Sequence, residues 1–396
     1  MPSTTPLLSS VLPPLIFGTA TFNSQYNIDP FQLPTTTLVH KAFAVGVRAF
    51  DTSPYYGPAE ELLGRALHAP FEETGKPFPR DEYYIITKVG RIAGSAFNYS
   101  KEWVYRSIQR SLKRLHTDYL DVVYCHDVEF VSSAEVLVAV RELRRIRDTE
   151  GTVKYIGISG YPVHVLCELA ELVLRETGES LDCVMNYANH TLQNTRLAKD
   201  GIERLVKAGV QVVPNASILG MGLLRRSGVP TGGKGNWHPA PDALREAIGK
   251  VSKWCDSRDE KIEVVAIRWA LESWLENGGP VGSCGDPASG IEWKEESIDQ
   301  VGGRRLGVSV MGVSNLDELD ETMKVWRSIL DGLEAEKDKA VEARRWESGH
   351  QWSLTRRQQI RSLAAGVWEI LGAWKDYAWE SPGKDYVRVT PGIEDL

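Results

Sequence analysis

Residues 120–176 contain LDVVYCHD (120–127), AEVLVAVRELRRIRD (134–148), VKYIGISG (153–160) and VHVLCELAELVLRE (163–176). Two short, β-branched apolar runs alternate with two segments whose apolar residues recur at helical spacing. The runs are continuous rather than alternating with polar residues, which is the pattern of strands buried on both faces in a parallel sheet.

The same unit repeats outward in both directions. Towards the N-terminus, LIFGTA (15–20) precedes a helical pattern over about 35–45, RAFDTS (48–53) precedes AEELLGRAL (59–67), and YYIITKVG (83–90) precedes KEWVYRSIQRSLKRL (101–115). Towards the C-terminus, LDCVMNYA (181–188) leads to a helix near 196–208, and VQVVPNAS (210–217) leads to PDALREAIGKVSKWC (241–255). A further helix, IEVVAIRWALESWL (262–275), precedes the last run, GVSVMGVS (307–314). Eight strand–helix repeats predict an α/β fold of the closed (β/α)8 TIM-barrel type, with a core over about 15–323. An open dinucleotide-binding sheet would show GxGxxG after its first strand, and LIFGTATFNSQ lacks it. Two regions exceed a minimal barrel. A Gly-rich, aperiodic insertion over about 278–306 predicts a long loop before the last strand. The extension over about 324–396 is charged and carries Trp326, Trp346, Trp352, Trp368, Trp374 and Trp379, so it is expected to be a helical tail packed on the body. The whole chain, 1–396, is read as a single domain.

The chain has 396 residues, 42% of them hydrophobic and 25% charged, as in an ordinary globular protein. Forty-six basic against 53 acidic residues give a net charge of −7, which argues against wrapping nucleic acid or an anionic membrane. Five scattered cysteines without a CxxC indicate neither a disulfide framework nor a zinc cluster, so no metal is expected and the compartment is read as reducing and cytoplasmic. The N-terminal stretch has no basic residues and is broken by Pro13 and Pro14, unlike a signal peptide, and no run is long enough to span a membrane.

Active sites of such barrels lie at the C-terminal ends of the strands. The polar residues there are Asp51, Lys88, His126, Ser159, Asn186, Asn215, Ser217, Gly312 and Ser314, with Tyr55 and Tyr56 in the loop after the second strand. Taken singly, Asp51 reads as a helix cap, Lys88 as a snorkelling surface lysine and His126 as a core histidine. Together they bring Asp, Lys, Tyr and His to one mouth. A phenol titrates near pH 10, and a neighbouring ammonium stabilises its phenolate. An Asp keeps that ammonium charged and placed, and a His can donate to a substrate oxygen. This set suits proton transfer at a carbinol oxygen while hydride moves at its carbon, and hydride transfer requires a cofactor.

The segment AFDTSPYYGPAEELLGRAL, followed by IITKVG and YCHD, resembles the aldo-keto reductase superfamily over about 15–323. YIGISGYP, ASILGMGLL and GNWHPAP are similar to a group within it, the sugar 1-dehydrogenases of the L-galactose dehydrogenase and D-arabinose 1-dehydrogenase kind. The resemblance implies a (β/α)8 barrel, a nicotinamide cofactor across its mouth, and catalytic Asp51, Tyr56, Lys88 and His126. Tyr56 takes the catalytic position because it immediately precedes Gly57, which leaves Tyr55 for packing or substrate contact. Implied cofactor contacts are Gly18, Thr19, Ser159, Asn186, Ser217, Leu219, Gly312, Ser314, Glu318 and Thr322. Implied substrate contacts are Tyr55, His126 and Trp237. Three positions depart from the common pattern. Ser159 is followed by Gly160 instead of Asn, Asn186 stands where a Gln is usual, and Ala216 replaces a stacking aromatic. No basic residue lies between Val310 and Thr322, where a 2′-phosphate would be gripped, and Glu318 could accept from a ribose 2′-hydroxyl. NAD is therefore expected over NADP, with helix capping by the acids as the competing reading.

Other residues are read more plainly. Cys125 faces away from His126 and packs on the helix ring. Asp127 and Glu129 are read as solvated loop acids, with sugar hydroxyls as the alternative. Trp237 and His238 are read as a substrate contact or a loop anchor, and RRIRD (144–148) as an exposed helix face. The expected activity is an NAD-dependent aldose 1-dehydrogenase forming a lactone from a D-arabinose-, L-galactose- or L-fucose-type sugar. The alternatives are an NADPH-dependent aldehyde or ketone reductase, or a nicotinamide-binding regulatory subunit. The expected partner is a small sugar or carbonyl compound, without nucleic acid or membrane, and the expected state is a monomer or small homo-oligomer.

Overall fold

The structure, a computed structural model, describes residues 5–229, 237–285, 305–337 and 350–392. Eight strands, β1 (Leu15–Gly18), β2 (Ala49–Asp51), β3 (Tyr84–Val89), β4 (Leu120–His126), β5 (Val153–Gly160), β6 (Cys183–Tyr187), β7 (Asn215–Ala216) and β8 (Ser309–Gly312), close into a barrel in sequence order. Every neighbouring pair is parallel, and β8 returns to β1 with Gly312 opposite Gly18. Each strand lies within an apolar run expected from the sequence. The runs are continuous because alternate residues fill two cores. Ile16, Ile86, Val122, Tyr124, Tyr155 and Met185 meet in the lumen. Phe17, Phe50, Ile85, Val123, Cys125 and Ile158 face the helices. Cys125 is thus turned away from the lumen, as expected, and burial pushes its thiol up to about 12.

The helices are α1 (Leu8–Val11), α2 (Thr35–Ala44), α3 (Ala59–His68), α4 (Lys101–Leu115), α5 (Ser133–Glu150), α6 (Val163–Thr177), α7 (Ile202–Lys207), α8 (Asp242–Asp256), α9 (Ile262–Asn277), α10 (Leu316–Lys337) and α11 (His350–Leu371). Local chemistry sets their ends. A reciprocal capping box of Ser132 and Glu135 starts α5, and left-handed Gly151 stops it.

Four local features differ from the sequence reading. The seventh strand is only two residues long. Pro214 has no N–H for the ladder, and Val213 N–H instead bonds to Val281 O at 2.8 Å. The helix after β6 opens with a π turn at Leu197–Gly201. The run 144–148 is not simply an exposed face. Arg144 is buried, donating to Thr177 Oγ1 (2.7 Å) and to the carbonyls of Glu179 (2.9 Å) and Ser180 (3.1 Å), because its long stem reaches the α6–β6 turn. Finally, α1 closes the floor of the barrel. Leu8 and Leu12 are fully buried in the lumen cluster, and Tyr155 OH donates to Pro6 O at 2.7 Å.

Residues 286–304 of the expected insertion, and Trp346 of the tail, lie outside the described residues. The described tail packs on the body as expected. Trp326 is fully buried, Trp368 Nε1 donates to Leu192 O at 2.9 Å, and Arg357 pairs with Glu272 at 2.6 Å. No described helix is long and apolar enough to cross a membrane. Since α1 fills the lumen's lower end, Leu8→Ala should lower the unfolding free energy by about 2–5 kcal/mol, read as a fall in the urea midpoint. A change under about 0.5 kcal/mol would show that the floor does not depend on this side chain.

Candidate active site

Asp51 ends β2 and Lys88 is the penultimate residue of β3, so adjacent parallel strands deliver them to the same mouth. Lys88 is fully buried rather than snorkelling. Its Nζ donates to Asp51 Oδ1 at 2.7 Å and to Thr52 O at 2.8 Å. Asp51 caps no helix: α3 starts after Pro58, with no side-chain cap. Burial pushes the Asp51 carboxyl up, and the Lys88 charge and hydrogen bond pull it down.

The turn after β2 brings Tyr56 over this pair, with Lys88 Nζ 4.8 Å from its ring centre. His126, the last residue of β4, stands perpendicular to Tyr56 with ring centres 5.7 Å apart, and Tyr55 lies 5.8 Å from His126 on another side. All four expected catalytic residues therefore converge. Ser53 joins them unforeseen. Its Oγ accepts Tyr55 N–H at 3.1 Å and lies 3.1 Å from His126 Nδ1. The donor in this bond follows the tautomer: when Ser53 Oγ–H donates to Nδ1, the ring proton sits on Nε2 and faces the mouth. Burial, with the charges of Lys88 and Arg91, holds the His126 pKa well below the ordinary range, so the ring is neutral. Tyr99 OH fixes the strand end by donating to His126 O at 2.6 Å.

The Tyr56 phenol is pushed well above its usual value. Burial is the main cause, and the Asp51 and Asp127 carboxylates add to it, opposed by Arg91. The resting tyrosine is therefore protonated: burial and the two carboxylates outweigh the lowering expected from a neighbouring ammonium.

Asp127 and Glu129 are not solvated loop acids. Asp127 is buried and ion-paired with Arg91, whose guanidinium lies 3.9 Å over the Tyr55 ring. Glu129 Oε1 accepts Tyr161 N–H and Ser381 Oγ–H, both at 3.1 Å, while Oε2 is buried without a partner among the described residues. Burial, with the Asp127 charge beside it, raises its pKa to about 8. A Cβ at residue 160 would stand 2.5 Å from Glu129 Oε2, so a larger residue there would require the Glu129 carboxylate to shift.

The remaining candidates surround the mouth. Ser159 and Asn186 are the penultimate residues of neighbouring strands. Asn186 Nδ2 donates to Gly160 O (3.0 Å) and Tyr161 O (2.8 Å), leaving a buried Oδ1 with no partner among the described residues. Gly18 packs under Val310, and Thr19 Oγ1 donates to Asp51 O at 3.1 Å. Ser217 takes a positive φ of 53° after β7, Leu219 packs on the core, Gly312 ends β8 and Thr322 is buried on α10. Glu318 accepts Ser314 N–H at 2.8 Å and Arg225 Nη2–H at 3.0 Å. It thus caps α10, and Arg225 supplies a basic group that the 310–322 window lacked. Trp237 packs edge-on against Tyr26 at 5.7 Å, while His238 anchors the loop through Gly220 O at 2.9 Å.

Tyr26 was not foreseen. It packs against Trp237 while keeping 38% of its surface exposed, and partial desolvation, with Tyr56 and Tyr55 nearby and opposed by Arg225, raises its pKa to about 12. The tail also reaches this end. Val389 bridges Ala96, Trp379 stacks on Tyr161 at 4.6 Å, and Arg388 pairs with Glu135.

Lys88→Met leaves Asp51 buried without its cation, so it should cost about 3–5 kcal/mol in denaturant unfolding, and adding Asp51→Leu should restore much of that loss. Equal stability of the single variant and the parent would contradict the dependence.

The Aldo/keto reductase family model matches residues 14–340. The chain is 43% identical over 267 residues to D-arabinose 1-dehydrogenase of Saccharomyces cerevisiae, covering 67% of this chain and 77% of that protein. It is 35% identical over 239 residues to L-galactose dehydrogenase of Arabidopsis thaliana (59% and 68%), and 26% over 271 residues to D-threo-aldose 1-dehydrogenase of a Pseudomonas species (62% and 78%). A family match that spans all eight strands and the gathered Asp, Tyr, Lys and His leads to one conclusion: the chain belongs to the aldo/keto reductase family and is an oxidoreductase acting on CH–OH and carbonyl groups with a nicotinamide cofactor.

Proposed function

We propose that this protein is an aldose 1-dehydrogenase that oxidises C1 of a free sugar, of D-arabinose, L-galactose or L-fucose type, to the lactone. The observation that carries the reading is Tyr56 held between the Lys88 ammonium and the neutral His126 ring, in a chain 43% identical to a D-arabinose 1-dehydrogenase. A bound nicotinamide supplies what no side chain can, taking a hydride from carbon or returning it. His126 Nε2 holds the anomeric oxygen. Tyr56 Oη takes the hydroxyl proton as the C1–H bond breaks and the C1=O bond forms. Lys88 favours the phenolate by charge, and Asp51 keeps Lys88 charged and in place.

The unpartnered Asn186 Oδ1 suits an amide N–H donor, so Asn186 and Ser159 would hold the carboxamide. Gly18, Thr19, Ser217, Leu219, Gly312, Ser314, Glu318 and Thr322 would line the rest of the dinucleotide. NAD is the preferred cofactor on this reading, because the Glu318 carboxylate repels a 2′-phosphate and already engages Arg225. The chain acts as one cytoplasmic unit on this reading, and its scattered cysteines, without a CxxC, accord with a reducing compartment.

A second reading, reduction of an aldehyde or ketone, is favoured by one observation. Tyr56 rests protonated, which is the form a general acid needs. Both readings share the same residues. With the phenol raised, oxidation should speed up as pH rises into the alkaline range, whereas reduction should be flat through neutral pH and fall only when Tyr56 ionises.

Following reduced nicotinamide by absorbance with a panel of free aldoses tests the proposal. NAD reduction by one or two of them is expected, whereas turnover with simple aldehydes and NADPH alone would overturn it. Tyr56→Phe should lower kcat about 10²–10⁴-fold with cofactor affinity retained. Glu318→Gln releases Arg225 and should raise the NADP-to-NAD ratio of kcat/KM about tenfold, ~1.4 kcal/mol. An unchanged ratio would remove Glu318 from the 2′ position.

A further inference from the structure

Arg91 and Asp127 form a charge pair beside His126 that neither the barrel core nor the proton-transfer groups require. Arg91 lies two residues beyond β3, and Asp127 follows β4 directly. In a continued strand Asp127 would face away from His126. Its backbone instead turns to φ 56°, ψ 61°, the left-handed region that Asp tolerates better than most residues. That turn brings Asp127 Oδ2 within 3.6 Å of His126 Nε2. The carboxylate is buried, but the Arg91 side chain keeps 16% of its surface exposed, and its Nε has no partner among the described residues.

A substrate oxygen on His126 Nε2 fixes where its neighbours fall. The hydroxyl on the adjacent carbon of a sugar or hydroxyaldehyde lies roughly 3 Å from that oxygen, about one hydrogen-bond length. This position is within reach of the Asp127–Arg91 pair. A hydroxyl both donates and accepts, and the pair offers one carboxylate acceptor and one guanidinium donor.

We propose that Asp127 and Arg91 recognise the hydroxyl on the carbon next to the reacting one, so that the site takes 2-hydroxy carbonyl compounds and their cyclic hemiacetals in preference to simple aldehydes. The proposal rests on the placing of the reacting oxygen at His126, not on the direction of the reaction. A simple aldehyde leaves both charged groups without the hydroxyl, and a site built around a hydroxyl discriminates strongly against the analogue lacking it. Because Arg91 stays partly open to water, the expected preference is about a hundredfold rather than the largest values known for sealed sites.

Matched pairs in both directions test this. Oxidation compares D-arabinose with 2-deoxy-D-ribose, which differs from it only in lacking the C2 hydroxyl. Reduction compares glyceraldehyde with 3-hydroxypropanal. In the parent protein kcat/KM should favour the 2-hydroxy member by about a hundredfold. The ratio should fall at least about tenfold in Asp127→Asn, and also in Arg91→Met/Asp127→Leu, which removes both charges without leaving one buried alone. Thermal unfolding and cofactor binding, read by tryptophan quenching, confirm that each variant is folded. A ratio near one in the parent, or an unchanged ratio in both folded variants, overturns the proposal. If neither sugar is oxidised but glyceraldehyde reduction shows the ratio and its loss, the hydroxyl reading stands and the dehydrogenase reading falls. If D-arabinose is oxidised no better than its 2-deoxy analogue, the reverse holds.

Discussion

A fully buried ammonium is the constraint from which the mouth of this barrel is built. Lys88 cannot be hydrated where it sits, so its donors need oxygen acceptors inside the protein. Asp51 and the Thr52 carbonyl provide them, and that requirement fixes the backbone just beyond β2. The next residues inherit the geometry. Ser53 is carried to His126 Nδ1, Tyr55 is tied back to Ser53, and Tyr56 is set over the ammonium. One charge pair on two adjacent strands thus positions side chains from three β–α units.

The electrostatics of the site follow from how deeply its groups are buried. Burial raises Tyr56, Asp51 and Asp127 and lowers His126, favouring the neutral form of each, while Lys88 and Arg91 act in the opposite sense on the carboxylates. The site at rest therefore offers a protonated phenol and an uncharged imidazole. Such groups act reversibly at one oxygen, and the direction of flow depends on pH and on what is bound. The same low-dielectric surroundings make the Arg91–Asp127 pair a fixed polar feature rather than a surface ion pair of little worth.

The barrel was legible because both faces of each strand are buried, which turns the strands into continuous apolar runs such as LDVVYCHD. The Asp, Lys and His were legible because strand ends are predictable once the strands are, whereas the choice of Tyr56 over Tyr55 came from the resemblance to the family's segment before Gly57. What escaped were the effects of single backbone angles and of distant segments. Period-two reasoning turns Asp127 away from His126, and one left-handed residue reverses it. Nothing near Glu318 announces Arg225, which arrives from 93 residues away. Pro214 shortens β7 through a missing donor that an apolar pattern does not register. Ser53 was within sight in AFDTSPYYG, where a hydroxyl two residues after a strand-end Asp is placed to orient a neighbouring ring.

The tail joins two regions of the molecule that a linear map keeps apart. Ser381 and Glu129 share a hydrogen bond across 252 positions, and the Val389 and Arg388 contacts tie the same segment to the loop after β3 and to the first turn of α5. The wall of the mouth on this side is consequently a two-part lock whose halves are written more than 250 positions apart. A loop grafted here from another barrel carries only one half, and a chimera that respects the boundaries of the barrel alone would separate a side chain from the partner that gives it its shape.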